Sequence, residues 1–421
     1  MLDIKTLCGS YYIDSDYINK IQSIGYYNDS NMAKTTYIIC FVVFMGIMIQ
    51  LDLDGGFAGV GAVINLVREC YHGNEYCDSS FIPRLPKIAV SMGFDKFKAS
   101  AMSLAEKYTP GKDSLKGKVA IVTGATAGCG KETARVLLAH GCHVVFAVRN
   151  VEKGKKVLQS FIDADTVSGK ATIIKMDLAD LRSVESFVEE FNELQLPLHL
   201  LINNAGIMMP GVNKKRSKQG HELQFAVNHL GHFRLTQLLE ENILSSNTVE
   251  NPGRVLYLTS SGIEFWNGPG KDGLKAQIPP ETRKYHPFFG YILTKAFNTL
   301  TAKEQQRRWK GKSAIAMSLN PGLVGGVAGG GGPTMLDTAG PMKGAFYGWP
   351  FAHAQRSAAY GAATTIHTAL SKEVVDEVRS GVTYYNNYEA TVPGAFSMHP
   401  EWFDESIAKE AWERTLKVLK A

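Results

Sequence analysis

The sequence predicts an α/β protein, a doubly wound parallel sheet forming one domain behind an N-terminal extension. Three observations carry this. From Lys118 onward, short β-branched apolar runs alternate with stretches of helical length and period. A glycine-rich turn directly follows the first apolar run. The composition, 45% hydrophobic and 20% charged over 421 residues, is that of an ordinary globular chain.

The first run, KVAIVT (118–123), is continuously apolar, as a strand buried on both faces must be. A helix is expected from about Gly130 to His140, stopped by Gly141. HVVFAV (143–148) reads as the second strand and Val151–Phe161 as a helix. ATIIKM (171–176) and LHLLIN (198–203) read as the third and fourth strands, with a helix over Leu181–Leu194 between them. A long helix is expected over His221–Glu241, then a fifth strand, RVLYLT (254–259). Phe289–Trp309 reads as another long helix, and SAIAMSL (313–319) as a sixth strand. The alternation is unbroken, so residues 115–421 are expected to form a single domain with right-handed crossovers.

The preceding residues are different. Residues 1–34 are rich in Tyr, Asn, Asp and Ser, lack a period, and read as poorly ordered. Thr35 to Leu51 is an uncharged run of 17 residues, the lower limit for a membrane-spanning helix. With the apolar stretch Phe57–Val67 it makes 35–68 a hydrophobic segment, readable as a membrane anchor, a targeting peptide or a buried helix. The anchor reading is preferred and implies membrane association, at the endoplasmic reticulum or another organelle membrane. Residues 69–114 carry Pro83, Pro86, Pro110 and Gly111 and read as a linker with one short helix.

Charge and cysteines exclude some functions. The balance of 45 Lys+Arg against 40 Asp+Glu, with no long basic run, gives no reason to expect nucleic acid. The six cysteines follow neither zinc-site nor disulfide-framework spacing. His229 and His232, three apart on a helix, lack a third ligand at metal-site spacing, so no metal is expected.

The glycine turn, Thr123-Gly124-Ala125-Thr126-Ala127-Gly128-Cys129-Gly130, lies between a strand and a helix. Glycines there permit a sharp turn and close approach of a pyrophosphate, which the helix N-terminus then favours. A P-loop is excluded, because Ala125 stands five before Gly130 and Glu132 stands where Ser or Thr should be. Arg149 ends the second strand, where an acid would bond the ribose hydroxyl of NAD. An arginine suits the 2′-phosphate of NADP(H), with Lys131 as a further cation. Asp177 and the segment Asn203-Asn204-Ala205-Gly206 follow the third and fourth strands, at strand C-termini where such folds bind nucleotides.

Tyr291 and Lys295, four apart on a predicted helix, share a face. An ammonium there is expected to favour phenolate and make Tyr291 a general acid or base. Tyr108 and Lys112 have the same spacing but flank Pro110-Gly111 and precede the nucleotide fold. Ser260 and Ser261 end the fifth strand, where a hydroxyl can bond a reacting oxygen. Asn228, within an apolar helical stretch, is expected to hold a water that relays protons to Lys295.

Together TGATAGCG (123–130), Asp177-Leu178, NNAG (203–206), Asn228, TSS (259–261), YILTK (291–295) and NPG (320–322) resemble the short-chain dehydrogenase/reductase family. GKETA (130–134), AVRNVEKG (147–154), AVNHLGHF (226–233) and YGAATTIHTALS (360–371) resemble its retinol dehydrogenase and WW-domain oxidoreductase branch. The resemblance implies a Rossmann-type domain and a tetrad of Asn228, Ser261, Tyr291 and Lys295, the serine being the second of the pair. It implies cofactor contacts from Gly124, Thr126, Gly128, Cys129, Gly130, Arg149, Asp177, Leu178, Asn204, Ala205 and Gly206. Tyr291, Lys295, Pro321 and Gly322 would complete them. The chain departs from the family where glycines occupy 325 and 326 in place of a nicotinamide-contacting threonine, and where Cys129 replaces Ile or Leu.

The glycine-rich stretch Gly322–Pro333 reads as part of a lid. Trp266, Pro279, Pro280, Tyr285, His286, Phe288 and Phe289, before or at the start of the Tyr291 helix, suit a hydrophobic substrate. The expected function is hydride transfer between NADP(H) and the alcohol or carbonyl of a retinoid-, steroid- or lipid-like molecule. The alternatives are a catalytically silent NADP-binding regulatory protein and a membrane-tethered scaffold. A homodimer is a possible assembly.

Overall fold

In the computed structural model the described residues are 100–208, 215–265, 274, 287–325, 356–386, 389–391 and 403–420. Backbone contacts divide the chain at Gly55–Gly56, and every described residue belongs to the second unit. The readings of residues 1–34 and 35–68 therefore lie outside the described residues, as do 326–333 and the positions Trp266, Pro279, Pro280, Tyr285 and His286. Among the described residues no helix is long and apolar enough to cross a membrane.

The order of elements is α1 (Ala101–Tyr108), β1 (Val119–Thr123), α2 (Gly128–Ala139), β2 (His143–Val148), α3 (Val151–Asp163), β3 (Ala171–Lys175), α4 (Leu181–Glu193) and β4 (Leu200–Asn203). A π-helical turn, Phe225–Leu230, then leads into α5 (Gly231–Leu238) and α6 (Glu240–Ser245). They are followed by β5 (Gly253–Leu258), a 3₁₀ turn (Ser261–Phe265), α7 (Pro287–Arg308) and β6 (Ala314–Asn320). The chain continues through α8 (Ala358–Gly361), α9 (Ala363–Leu370), α10 (Glu373–Arg379), β7 (Tyr384–Asn386), β8 (Glu389–Thr391) and α11 (Glu405–Lys420).

The sheet order is β3-β2-β1-β4-β5-β6-β7-β8. All neighbours run parallel except β7 and β8. The doubly wound reading holds. The winding reverses between β1 and β4, so a crevice opens at their C-terminal ends. Strands β1, β4, β5 and β6 are buried along their whole length, which explains their continuous apolar runs.

Alternate residues enter two cores. Ala120, Val122, Val144, Phe146 and Ile202 join α1, α2, α9 and α10 on one face. Val119, Ile121, Val145, Leu201 and Tyr257 join α4, α5 and α7 on the other. The short helix expected in the linker is α1. It is capped by reciprocal Ser100–Ser103 bonds and buries Ala101, Leu104 and Ala105 in the first core.

The helix expected over His221–Glu241 is instead three pieces. Asn228 lies inside the π turn, a local widening common at functional sites. The side chain of Glu222 starts this segment by accepting the N–H groups of Gln224 (3.0 Å) and Phe225 (2.7 Å).

Candidate active site

A cleft of about 540 Å³ opens above the C-terminal ends of the strands. It has the size expected of a small-molecule or cofactor site. The tetrad and cofactor-contact residues implied by the family resemblance all line it except Gly130 and Asn228.

The glycine turn forms one wall. Gly128, at φ +52°, faces open space, and a side chain there would meet nothing within 4 Å. The N-terminus of α2 has no side-chain cap and no acid in its first turn. By contrast, α3 and α4 are capped by Asn150 and Asp180. Free N–H groups at an uncapped helix start, beside a glycine that leaves room, fit the phosphates of a dinucleotide.

Gly130 lies beneath this wall. A β-carbon on it would come within 2.6 Å of the Gly124 carbonyl oxygen and closer still to the Asn204 amide. Asn204 donates from Nδ2 to the Thr123 carbonyl (2.8 Å), while the backbone N–H groups of Asn204 and Ala205 both donate to Thr123 Oγ1 at 2.9 Å. Gly130 and the Asn204 amide thus shape the cradle from behind. Cys129 also lines the cleft, but its sulfur packs against Gly361, and burial pushes the thiol up to about 12.

At the far end, Arg149 is exposed at the tip of β2 and Lys153 lines the same cleft. Lys131 does not join them. Its ammonium sits 5.6 Å from the centre of the Phe161 ring. Asn150 turns inward to cap α3, accepting the Lys153 N–H at 2.9 Å. Asp177 Oδ1 accepts the Ala179 N–H at 3.0 Å, which fixes the carboxylate at the cleft edge.

The other end of the cleft holds Tyr291 and Lys295, both buried on α7. The Ser260 hydroxyl lies beside the Tyr291 phenol, and both line the cleft. Lys295 Nζ lies 5.7 Å from the Tyr291 ring centre and donates to the Leu258 carbonyl at 2.8 Å. Burial pushes the phenol above its ordinary range, an effect the Ser260 hydroxyl only partly offsets. Desolvation is the largest influence on the phenol, and the Lys295 ammonium is not among those acting on it. Burial also pushes Lys295 down to about 8.

Ser261, chosen from the sequence, lines the same cleft as Ser260 and Tyr291. It begins the 3₁₀ turn, and its N–H donates to Asn320 Oδ1 at 3.0 Å. Ser260 precedes it and accepts the Gly262 N–H on its own Oγ at 3.0 Å.

Asn228 also differs from expectation. Its side chain is fully engaged: Nδ2 donates to the Ile207 carbonyl (2.9 Å) and Thr294 Oγ1 (3.1 Å), and Oδ1 accepts the Ile207 N–H (2.8 Å). It clamps the segment after β4 to the Tyr291 helix, with both Nδ2 hydrogens engaged. Thr294 in turn donates to the Tyr291 carbonyl at 2.7 Å.

The sequence reading missed Lys153 and Thr294. Lys153 could have been found from its place in the first turn after Arg149. Thr294 carries no local signal, since its tie to Asn228 reaches across 66 positions.

The model of the short chain dehydrogenase family matches residues 118–264. The WW domain-containing oxidoreductase of Gallus gallus is 31% identical over 323 residues, covering 76% of this chain and 72% of the relative. Retinol dehydrogenase 11 of Homo sapiens is 32% identical over 310 residues, covering 72% of this chain and 86% of the relative. Other matches are shorter: the chain spans 66% of a short-chain dehydrogenase/reductase of Armillaria gallica and 62% of Mus musculus retinol dehydrogenase 11. A crystal structure of an uncharacterised protein from Mycobacterium paratuberculosis superimposes with TM-score 0.53 at 27% identity, covering 73% of this chain and 95% of that one. A sheet wound in this order, a cleft that gathers the motif residues, and relatives matched over most of their length place the chain in the short-chain dehydrogenase/reductase family.

Proposed function

We propose that the protein transfers a hydride between NADP(H) and the carbonyl or alcohol of a hydrophobic small molecule. The observation that carries this reading is the buried pair Tyr291 and Lys295, with the half-buried Ser260 beside them, at the end of a cleft whose other wall is the uncapped glycine turn. The nucleotide, when bound, supplies or accepts the hydride.

The chain's own residues handle the proton and the substrate oxygen. Ser260 and Tyr291 donate hydrogen bonds to that oxygen. Tyr291 passes its Oη proton to it in reduction and takes a proton back in oxidation. The Lys295 ammonium stabilises the phenolate formed, and a pKa of about 8 lets it exchange a proton near neutrality. Asn228 acts by holding Ile207 and Thr294 in register. We assign the catalytic serine to Ser260 in place of Ser261.

Arg149 and Lys153, two cations at the adenosine end of the cleft, support NADP(H) over NAD(H). The hydrophobic substrate class draws support from the similarity to retinol dehydrogenases and from the apolar residues before the Tyr291 helix. Membrane association rests on the uncharged run Thr35–Leu51. Retention of the full chain in carbonate-washed membranes tests it, and release into the wash refutes it.

The main experiment measures oxidation of NADPH and NADH by the full chain against short and long aldehydes, retinal and a ketosteroid. Tyr291→Phe should reduce turnover by about 10³-fold or more while the protein stays folded. Undiminished turnover would overturn the assignment.

A further inference from the structure

The chemistry above leaves two fully enclosed histidines, His229 and His232, unused. Their partners differ. His229 joins Asn298 Oδ1 (3.1 Å) to Thr415 Oγ1 (3.0 Å), bridging α7 and α11 in the packing. His232 faces the site instead. Its Nδ1 lies 3.0 Å from the backbone carbonyl oxygen of Asn228, and its Nε2 lies 2.9 Å from Thr123 Oγ1.

The tautomer follows from the partners. A carbonyl oxygen only accepts, so Nδ1 carries the hydrogen. Burial keeps the ring neutral by pushing it down to about 3, which leaves Nε2 as an acceptor. Thr123 already accepts two N–H groups, from Asn204 and Ala205, so its own hydrogen is free to go to Nε2. The alternative acceptor, the Ile202 carbonyl, is 3.4 Å away and less favourable.

One ring therefore spans two parts of the site. On the Nε2 side lie Thr123, Asn204 and Ala205, the hinge of the cofactor cradle. On the Nδ1 side lies Asn228. The Asn228 carbonyl also accepts from Asn298 Nδ2 at 3.0 Å. Asn298 reaches the Leu258 carbonyl at 3.5 Å, the same oxygen that takes the Lys295 ammonium.

We propose that His232 is a positioning residue that ties the cofactor cradle to the hydrogen-bond network behind Lys295 and Tyr291, each ring nitrogen serving one side. This rests on the reading of Tyr291 and Lys295 as the catalytic pair. A residue that merely fills space would alter stability when replaced. A tie makes two separable contributions, one to nucleotide affinity and one to turnover.

His232→Asn and His232→Gln separate them. The Asn amide falls near the Nδ1 position and keeps a donor for Asn228. The Gln amide falls near Nε2 and keeps a partner for Thr123. NADPH affinity is read by nucleotide fluorescence on the full chain, and kcat with the carbonyl that the wild type reduces fastest. His232→Asn is expected to weaken NADPH binding about tenfold with kcat within about threefold, and His232→Gln to do the reverse. Equal effects of the two variants, or none, overturn the proposal.

If either variant fails to fold, Thr123→Val and Thr123→Ser ask the same question from the other end. Valine should weaken NADPH binding about tenfold and serine should restore it. Equal affinities in the two refute the tie. Tyr291→Phe is run alongside. Full turnover in that variant sinks the catalytic reading, while the NADPH affinities still report on His232.

Discussion

Ser260 lies beside the Tyr291 phenol and favours its ionised form, whereas the neighbouring Ser261 turns its N–H toward Asn320. Adjacent hydroxyls at the end of one strand therefore have different surroundings. Ser260→Ala should lower kcat/KM by about 10²–10³-fold, the usual cost of losing one donor to a developing oxyanion. Ser261→Ala should stay within about threefold of the wild type. Steady-state kinetics on the two purified variants decides it, and the reverse ranking would return the role to Ser261.

Lys295 gives the reaction a pH limit. Its ammonium is lost as the pH rises past about 8. Reduction, which leaves a phenolate beside it, should therefore slow above that point, approaching tenfold per pH unit. A kcat/KM profile for carbonyl reduction that stays flat to pH 10 would contradict this.

The same group opposes folding. The folded pKa, about 8, is below the ordinary value of ~10.4. The unfolded chain thus holds the proton more tightly, and stability from this group rises with pH between the two values. Lys295→Met should be inactive yet more stable at pH 7 by about 1–3 kcal/mol, allowing for the lost bond to Leu258. The gain should shrink toward pH 10. Thermal melts at the two pH values test it.

Nucleotide choice should follow the cations at the tip of β2. Arg149→Ala and Lys153→Ala should each raise the KM for NADPH several-fold, roughly tenfold for the arginine, and leave that for NADH within about twofold. Lys131→Ala should change neither, since that side chain lies over Phe161. Equal losses with both nucleotides would mean that these residues do not read the 2′-phosphate.

Gly130 should tolerate no side chain. Gly130→Ala must push Asn204 or the Gly124 carbonyl aside, at a cost of about 1–3 kcal/mol. NADPH binding should fall with the melting temperature. Gly128→Ala, whose β-carbon meets open cleft, should impair binding with a smaller fall in stability.

The frame of this fold was legible because strands buried on both faces leave long apolar runs. KVAIVT and Val119–Thr123 differ by one residue at the start, and the strand ending at Asn320 is displaced by one position from 313–319. The glycine turn, Tyr291 and Lys295 were legible for a related reason: a local spacing carries them. What escaped depends on contacts across the chain. The π turn at Asn228 is tied to Ile207, Thr294 and Asn298, 21 to 70 positions away, so no local period announces it. The choice between Ser260 and Ser261 turns on where the strand ends and the 3₁₀ turn begins, a difference of one residue. The three-residue strands β7 and β8 are too short to show a period.

The docking of α1 has a practical consequence for anyone cutting this gene. Removing the first 110 residues would strip Ala101, Leu104 and Ala105 from the sheet and leave His367 without the Tyr108 hydroxyl, 2.6 Å away. A fragment designed to begin at Lys118, where the strand pattern starts, would present an open greasy seam and should precipitate on expression. A fragment that retains Ser100 keeps the helix, its cap and the seal they make.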